Sequence, residues 1–157
     1  MMVINKIEIE VEINKQVEFR KFPQFEKILN IASNLAIKTS GIVKHKKYSI
    51  SLLLCDETEI LRLNNEFRCK NYVTNVLSFE DGDILEGILY LGDIAMCIPK
   101  IKEEADIEKK TFKTHFVHLF IHGVLHLLGF DHETQQEQVE MEGLEDKILE
   151  ELTKELQ

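Results

Sequence analysis

The chain has little of what would tie it to a membrane, a disulfide scaffold or a nucleic-acid backbone. No apolar run in its 157 residues approaches the roughly 20 needed to cross a bilayer. The first residues, from Met1 to Glu10, alternate with acids and lack the apolar block and cleavage site of a signal peptide. A cytoplasmic location without a membrane partner is therefore expected. Only three cysteines occur, Cys55, Cys69 and Cys97, with no CxxC spacing. An odd, scattered set excludes a disulfide framework and a thiolate zinc site, and reads as three small, partly buried hydrophobes. Lysine and arginine are in deficit, 19 against 28 acids, for a net charge of −9. That balance disfavours a general nucleic-acid binder, which uses excess cations to release counterions from phosphate. The acids crowd the tail from Glu133 to Glu155, whereas Lys44, Lys46, Lys47, Arg62, Arg68, Lys70, Lys109, Lys110 and Lys113 lie elsewhere. A locally positive cleft on an acidic body is compatible with this distribution.

What is present is ordinary globular patterning, with 44% hydrophobic and 30% charged residues and no repeat or linker. Residues 3–13 alternate apolar and polar, the period of a half-buried strand. After Pro23, apolar residues from Phe25 to Ala36 recur at helical spacing and Gly41 closes the segment. Tyr48 to Leu54 reads as a strand, and Asp56-Glu-Thr-Glu59 as a capping-box-like start of a helix through Phe67. Residues 68–75 look irregular. Val76 to Phe79 reads as a short strand, Glu80 to Asp83 as a turn, and Leu89 to Cys97 as another strand. Pro99 opens a charged helix, Thr111 to Leu128 forms the next, and Gln135 to Leu156 the last. The last helix takes Val139, Leu144, Ile148, Leu149 and Leu152 as its apolar stripe. Strands early and helices late predict an α+β fold, a single domain over residues 1–157.

The pattern that carries chemistry lies between α-helical and irregular sequence. His122, His126 and His132 stand at positions 0, +4 and +10, with Gly129 at +7. Histidines four apart share one helix face, and a glycine beyond them lets the chain turn left-handed and return a third imidazole. Three nitrogen ligands leave a fourth position open, as in catalytic zinc sites. The spacing equals that of metzincin proteases, H-E-x-x-H-x-x-G-x-x-H, but Gly123 stands where those enzymes carry their general base. Zinc still lowers the pKa of its bound water to about 7, so one Zn²⁺ per chain remains the expected cofactor while peptidase chemistry becomes a minority reading. Asp131 reads either as a turn former or as the partner that fixes a ligand histidine's tautomer. A fourth protein ligand would close the metal to solvent, so His118 is expected behind the ligands or in the core. His115 and His45 read as ordinary surface residues.

His122-Gly-x-Leu-His-Leu-x-Gly-x-Asp-His132 closely resembles the signature of the YbeY family of bacterial and organellar endoribonucleases, which act as rRNA maturation factors. Leu63-Asn-x-x-Phe-Arg68, Thr74-Asn-Val-Leu-Ser-Phe79 and Leu91-Gly-Asp-Ile94 agree in the same order. The resemblance implies a small mixed sheet packed against several helices, with the metal at the edge of a cleft. It implies zinc-dependent cleavage of single-stranded RNA, in rRNA 3′-end processing and ribosome quality control, with the small ribosomal subunit or its proteins as partners. It also implies that Arg68, otherwise read as one half of a surface ion pair, lines the cleft and binds substrate beside the catalytic His122. Four departures stand out: Val73, Asn75 and Glu80 replace a proline, an aspartate and a second proline, and Phe130 replaces a tyrosine. The Asn75 change puts any role of that carboxylate in doubt.

The expected chemistry is phosphodiester hydrolysis at a His122/His126/His132 metal. Arg68 would grip the scissile phosphate through a planar, bidentate guanidinium. Tyr72 or Phe79 could stack bases, although Phe79 reads more readily as core. Two rivals remain: a metallopeptidase, supported by ligand spacing, and a ribosome assembly factor whose zinc mainly orders the fold.

Overall fold

Alternation along three strands builds a sheet with two unlike faces. The computed structural model describes residues 6–42 and 45–157. Residues 3–5 of the expected first strand, and Lys44 of the basic stretch, lie outside the described residues. Strand β1 (Lys6–Ile13) is followed by helix α1 (Phe25–Ser40) and strand β2 (Lys47–Cys55). Helix α2 (Glu57–Arg68) leads through an irregular loop to β3 (Val76–Glu80). A two-residue β4 (Ile84–Leu85) turns tightly into β5 (Ile88–Cys97). Helices α3 (Ile98–Ile107), α4 (Phe112–Leu127) and α5 (Gln135–Glu155) complete the chain. The α+β class expected from the element order is the one observed.

The sheet runs β1-β2-β5-β3, with β1, β2 and β5 parallel and β3 antiparallel to β5. Tyr48, Ile50, Leu52 and Leu54 of β2, with Ile94 and Met96 of β5, are buried in the main core. That core is shared with α1, α4 and α5 through residues such as Phe25, Phe116, Phe120 and Ile148. Intervening residues Cys55, Ala95 and Cys97 face the other way and join Ile60 of α2 in a smaller cluster. Period-two alternation thus sends one set of side chains to each face.

Terminal signals hold the helices where the sequence places them. Asp56 caps α2 by accepting from the Glu59 N–H, Thr111 caps α4, and Thr134 with Glu137 forms a reciprocal capping box on α5. Four sequence expectations need correction. The β4–β5 hairpin was not anticipated, because two exposed residues, Ile84 and Leu85, carry no alternation to read. Val139 is exposed rather than part of the α5 stripe, whose buried positions are Met141, Glu145, Ile148 and Leu152. Cys69 is exposed at the left-handed residue ending α2, while Cys55 and Cys97 are buried as expected. Phe79 is only half-buried, on the sheet face away from the main core.

Candidate metal centre

Segments 74–79 and 91–94 seat the helix that carries His122 and His126. At Gly92 φ is 139°, and an added Cβ would lie 2.1 Å from the Phe79 carbonyl oxygen and 2.9 Å from Leu127 on α4. Only glycine lets β5 pass this close to the end of the helix. One turn earlier, Gly123 packs against Ile94, and its carbonyl accepts a 3.0 Å hydrogen bond from the Ser78 hydroxyl. A side chain at position 123 would point into the sheet. This is the physical reason that a metzincin-type glutamate has no place here.

Helix α4 ends as its glycine predicts. Phe130 N–H bonds the Leu125 carbonyl at 3.1 Å and Gly129 N–H bonds that of His126 at 3.0 Å, with φ of 99° at Gly129. This is a Schellman closure, and it reverses the chain so that His132 returns to the helix. Asp131 accepts the His132 backbone N–H at 2.8 Å.

His122, His126 and His132 consequently meet. Each offers a ring nitrogen within 4.8 Å of the others, a group that could hold a metal ion. The Nε2 atoms of His122 and His126 are 3.1 Å apart. Two nitrogens bound tetrahedrally to one zinc at about 2.0–2.1 Å would be about 3.3 Å apart, so the helical pair fits a chelate. Burial, with the neighbouring His122 and His132 rings, pushes the His126 imidazole down to about 4, which keeps it in the neutral form a metal requires.

Behind this cluster lies a residue the sequence reading missed. Glu145 of α5 is 4% exposed. Its Oε2 is 2.6 Å from His122 Nδ1 and its Oε1 is 2.8 Å from His118 Nε2. Burial alone would raise this carboxyl, but the two histidine hydrogen bonds outweigh burial and hold it at about 2. His118 therefore shares one carboxylate with His122 and lies outside the three-imidazole cluster. His115, read as surface, is in fact buried, with Nε2 2.9 Å from Glu104. Glu104 also accepts two bonds from the Asn75 amide, at 3.0 and 3.3 Å, which a carboxylate at position 75 could not donate.

The imidazoles open into a cleft of about 520 Å³ lined also by Arg68, Lys70, Tyr72, Asn75 and Ser78. The Leu63-Asn-x-x-Phe-Arg68 motif builds its far wall. Leu63 packs under the sheet, and buried Asn64 donates to the Tyr72 carbonyl at 2.9 Å, clamping the loop. Phe67 stacks edge-on against Phe79, and the Arg68 guanidinium lies 5.0 Å over the Phe79 ring while donating to the Ser78 carbonyl. Tyr72 stands 54% exposed at the rim.

A family model described as Endoribonuclease YbeY matches residues 8–153. The chain belongs to this family. A curated relative named Endoribonuclease YbeY from Chromobacterium violaceum is 43% identical over 109 residues, covering 68% of this chain and 65% of its own length. One of the same name from Pseudomonas syringae pv. syringae is 48% identical over 105 residues, covering 66% of this chain and 63% of its own. The chain thus spans somewhat under two thirds of the length of the curated relatives it matches. The solution structure of a Thermotoga maritima protein superposes with a TM-score of 0.62 at 27% identity, covering 94% of this chain and 91% of that one. Gly92, Gly123 and Asn64 each position an element around the same cleft. Among the described residues no helix is long and apolar enough to cross a membrane.

Proposed function

We propose that the chain is a zinc-dependent endoribonuclease specific for single-stranded RNA, acting in the cytoplasm in rRNA 3′-end maturation and ribosome quality control. The observation that carries this reading is the convergence of three imidazoles on a cleft whose opposite wall presents Arg68 and Lys70. Curated relatives bearing the name endoribonuclease support the same activity. His122, His126 and His132 would hold the ion. When bound, it would supply Lewis acidity for phosphodiester hydrolysis and offset the Glu80, Asp131 and Glu133 carboxylates that also line the cleft.

The remaining work belongs to the chain's own side chains. The planar guanidinium of Arg68 has more donors than its bond to Ser78 uses, and can grip two oxygens of a phosphate. The Phe79 ring beneath it fixes the plane of the fork. Tyr72, exposed beside Lys70, offers a face on which an unpaired base can stack. An open cleft of this kind suits a flexible strand whose bases can splay out.

Arg68→Ala should lower RNA cleavage at least 10-fold while leaving zinc content by elemental analysis and the far-ultraviolet circular dichroism unchanged. Loss of zinc or of folding in that variant would make Arg68 structural. The same purified protein should degrade RNA and not casein, and its nuclease activity should vanish on chelation and return with zinc.

A second reading is favoured by the other sheet face. Glu10, Glu12 and Asp93 stand among mostly apolar residues, such as Leu53, Leu63 and Phe79, in a groove of about 700 Å³ there, and these acids could meet basic ribosomal proteins of the small subunit. In that reading the zinc mainly orders the fold. A cleavage-dead variant that still co-sediments with small subunits and supports growth would favour it.

A further inference from the structure

We propose that Glu145 is a positioning residue of the metal centre: its buried carboxylate, held in place by His118, orients His122 so that Nε2 faces the ion. The inference rests on the metal reading above and adds to it a residue from a different helix. Glu145 is the one carboxylate buried among the described residues. A charged group so placed must be hydrogen-bonded through both oxygens or carry a large desolvation cost. Both are used, one on each of two histidines a turn apart on α4.

The two histidines do not present the same atom. His118 turns Nε2 to the carboxylate, whereas His122 turns Nδ1. An ionised carboxylate only accepts, so both facing nitrogens carry hydrogen. For neutral His122 this places the lone pair on Nε2, the nitrogen 3.1 Å from His126 Nε2 and inside the ligand cluster. A carboxylate behind a ligand imidazole also raises the basicity of its donor nitrogen. His118 contributes by occupying the other oxygen, which stops the carboxylate from rotating away from His122. The arrangement links α5, whose acids otherwise face solvent, to the reactive end of α4.

A buried glutamate could also serve merely to bracket α4 against α5, and the two roles predict different measurements. Glu145→Gln keeps the shape and can still accept one bond, but it loses the charge and offers a donor to one nitrogen that is itself a donor. In the full chain, Zn²⁺ affinity measured by competition with a chromophoric chelator should fall 10–100-fold. The visible absorption of the Co²⁺-loaded variant should differ from that of the unaltered protein. His118→Gln, whose amide can still donate to Oε1, should weaken Zn²⁺ less than Glu145→Gln does. Should Glu145→Gln fail to fold by circular dichroism, Glu145→Asp supplies the same test, with affinity below that of the unaltered chain. Unchanged Zn²⁺ affinity and an unchanged Co²⁺ spectrum in the folded variant would overturn the proposal and leave Glu145 a bracket. His126→Ala serves as the reference: if it too retains one equivalent of zinc, the metal reading itself fails, separately from the role of Glu145.

Discussion

His122 and His126 are half-buried on α4, where Glu145 holds His122 from behind and Gly92 and Gly123 bring the helix and the sheet close together beneath them. His132 is exposed, on a chain that has just left the helix through Gly129, and its neighbour Asp131 bonds only its backbone. One half of the cluster is set by packing and the other by a turn. Packing holds the backbone that carries the helix-borne pair, because the buried neighbours of α4 would have to move with it. The turn fixes the direction of the chain but leaves the third imidazole free to settle on whatever the first two present.

Substitution of the two glycines breaks this contrast most sharply. Gly92→Ala places a methyl group 2.1 Å from a backbone oxygen at a φ of 139°, with no flexible neighbour to yield. Loss of more than about 3 kcal/mol is expected, read as failure to give soluble folded protein or as a collapsed urea midpoint. Gly129→Ala meets nothing within 4 Å and bears only the strain of its φ of 99°, about 1–3 kcal/mol. It should fold and bind zinc more weakly. Equal effects at both positions would dissolve the distinction between the packed half and the turned half.

The helix-borne half was largely legible in the sequence, because spacing of four on a helix translates directly into a shared face. Gly129 signalled the turn for the same reason: few residues other than glycine take up that backbone region. Glu145 was not legible. It lies 23 residues beyond His122, within a tail so acidic that any one glutamate reads as solvated, and only the packing of α5 on α4 reveals which is buried. His115 escaped likewise, since its burial depends on Glu104 arriving from α3. The elements themselves were well marked by alternation, caps and Pro99. The strand order was not, because placing β5 between β2 and β3 depends on contacts far apart in the chain. Residues such as Gly92 and Asn64 could be read as family motifs, but their purpose, a close approach and a loop clamp, appears only in three dimensions.

Removing one imidazole from each half sharpens the comparison at the metal. His126→Ala should leave well below one equivalent of zinc, since it destroys the pre-oriented pair. His132→Ala should retain a weak ion on the His122/His126 chelate, with affinity reduced by more than the 10–100-fold expected for a lost hydrogen-bond partner. Zinc titration against a competing chelator measures both. A His132→Ala variant that loses zinc more completely than His126→Ala would show that the turn, rather than the packed helix, dominates binding.

Acidification tests the buried half by itself, in protein stripped of metal. His126 is lowered from an ordinary 6.5 to about 4 by burial and by the rings of His122 and His132. Glu145 is held at about 2 against an ordinary 4.5, its histidine hydrogen bonds outweighing the effect of burial. In both cases the unfolded chain binds the proton more readily than the folded one, so stability rises with pH across each interval. Cooling of the melting temperature should therefore begin as pH falls below about 6.5, carried by His126, and steepen below about 4.5 as Glu145 joins. His126→Gln should flatten the upper part of that profile and leave the lower part in place. An unaltered slope between pH 6.5 and 4 in that variant would mean that the packed imidazole does not resist its proton, and the helix-borne half would then be no more constrained than the loop.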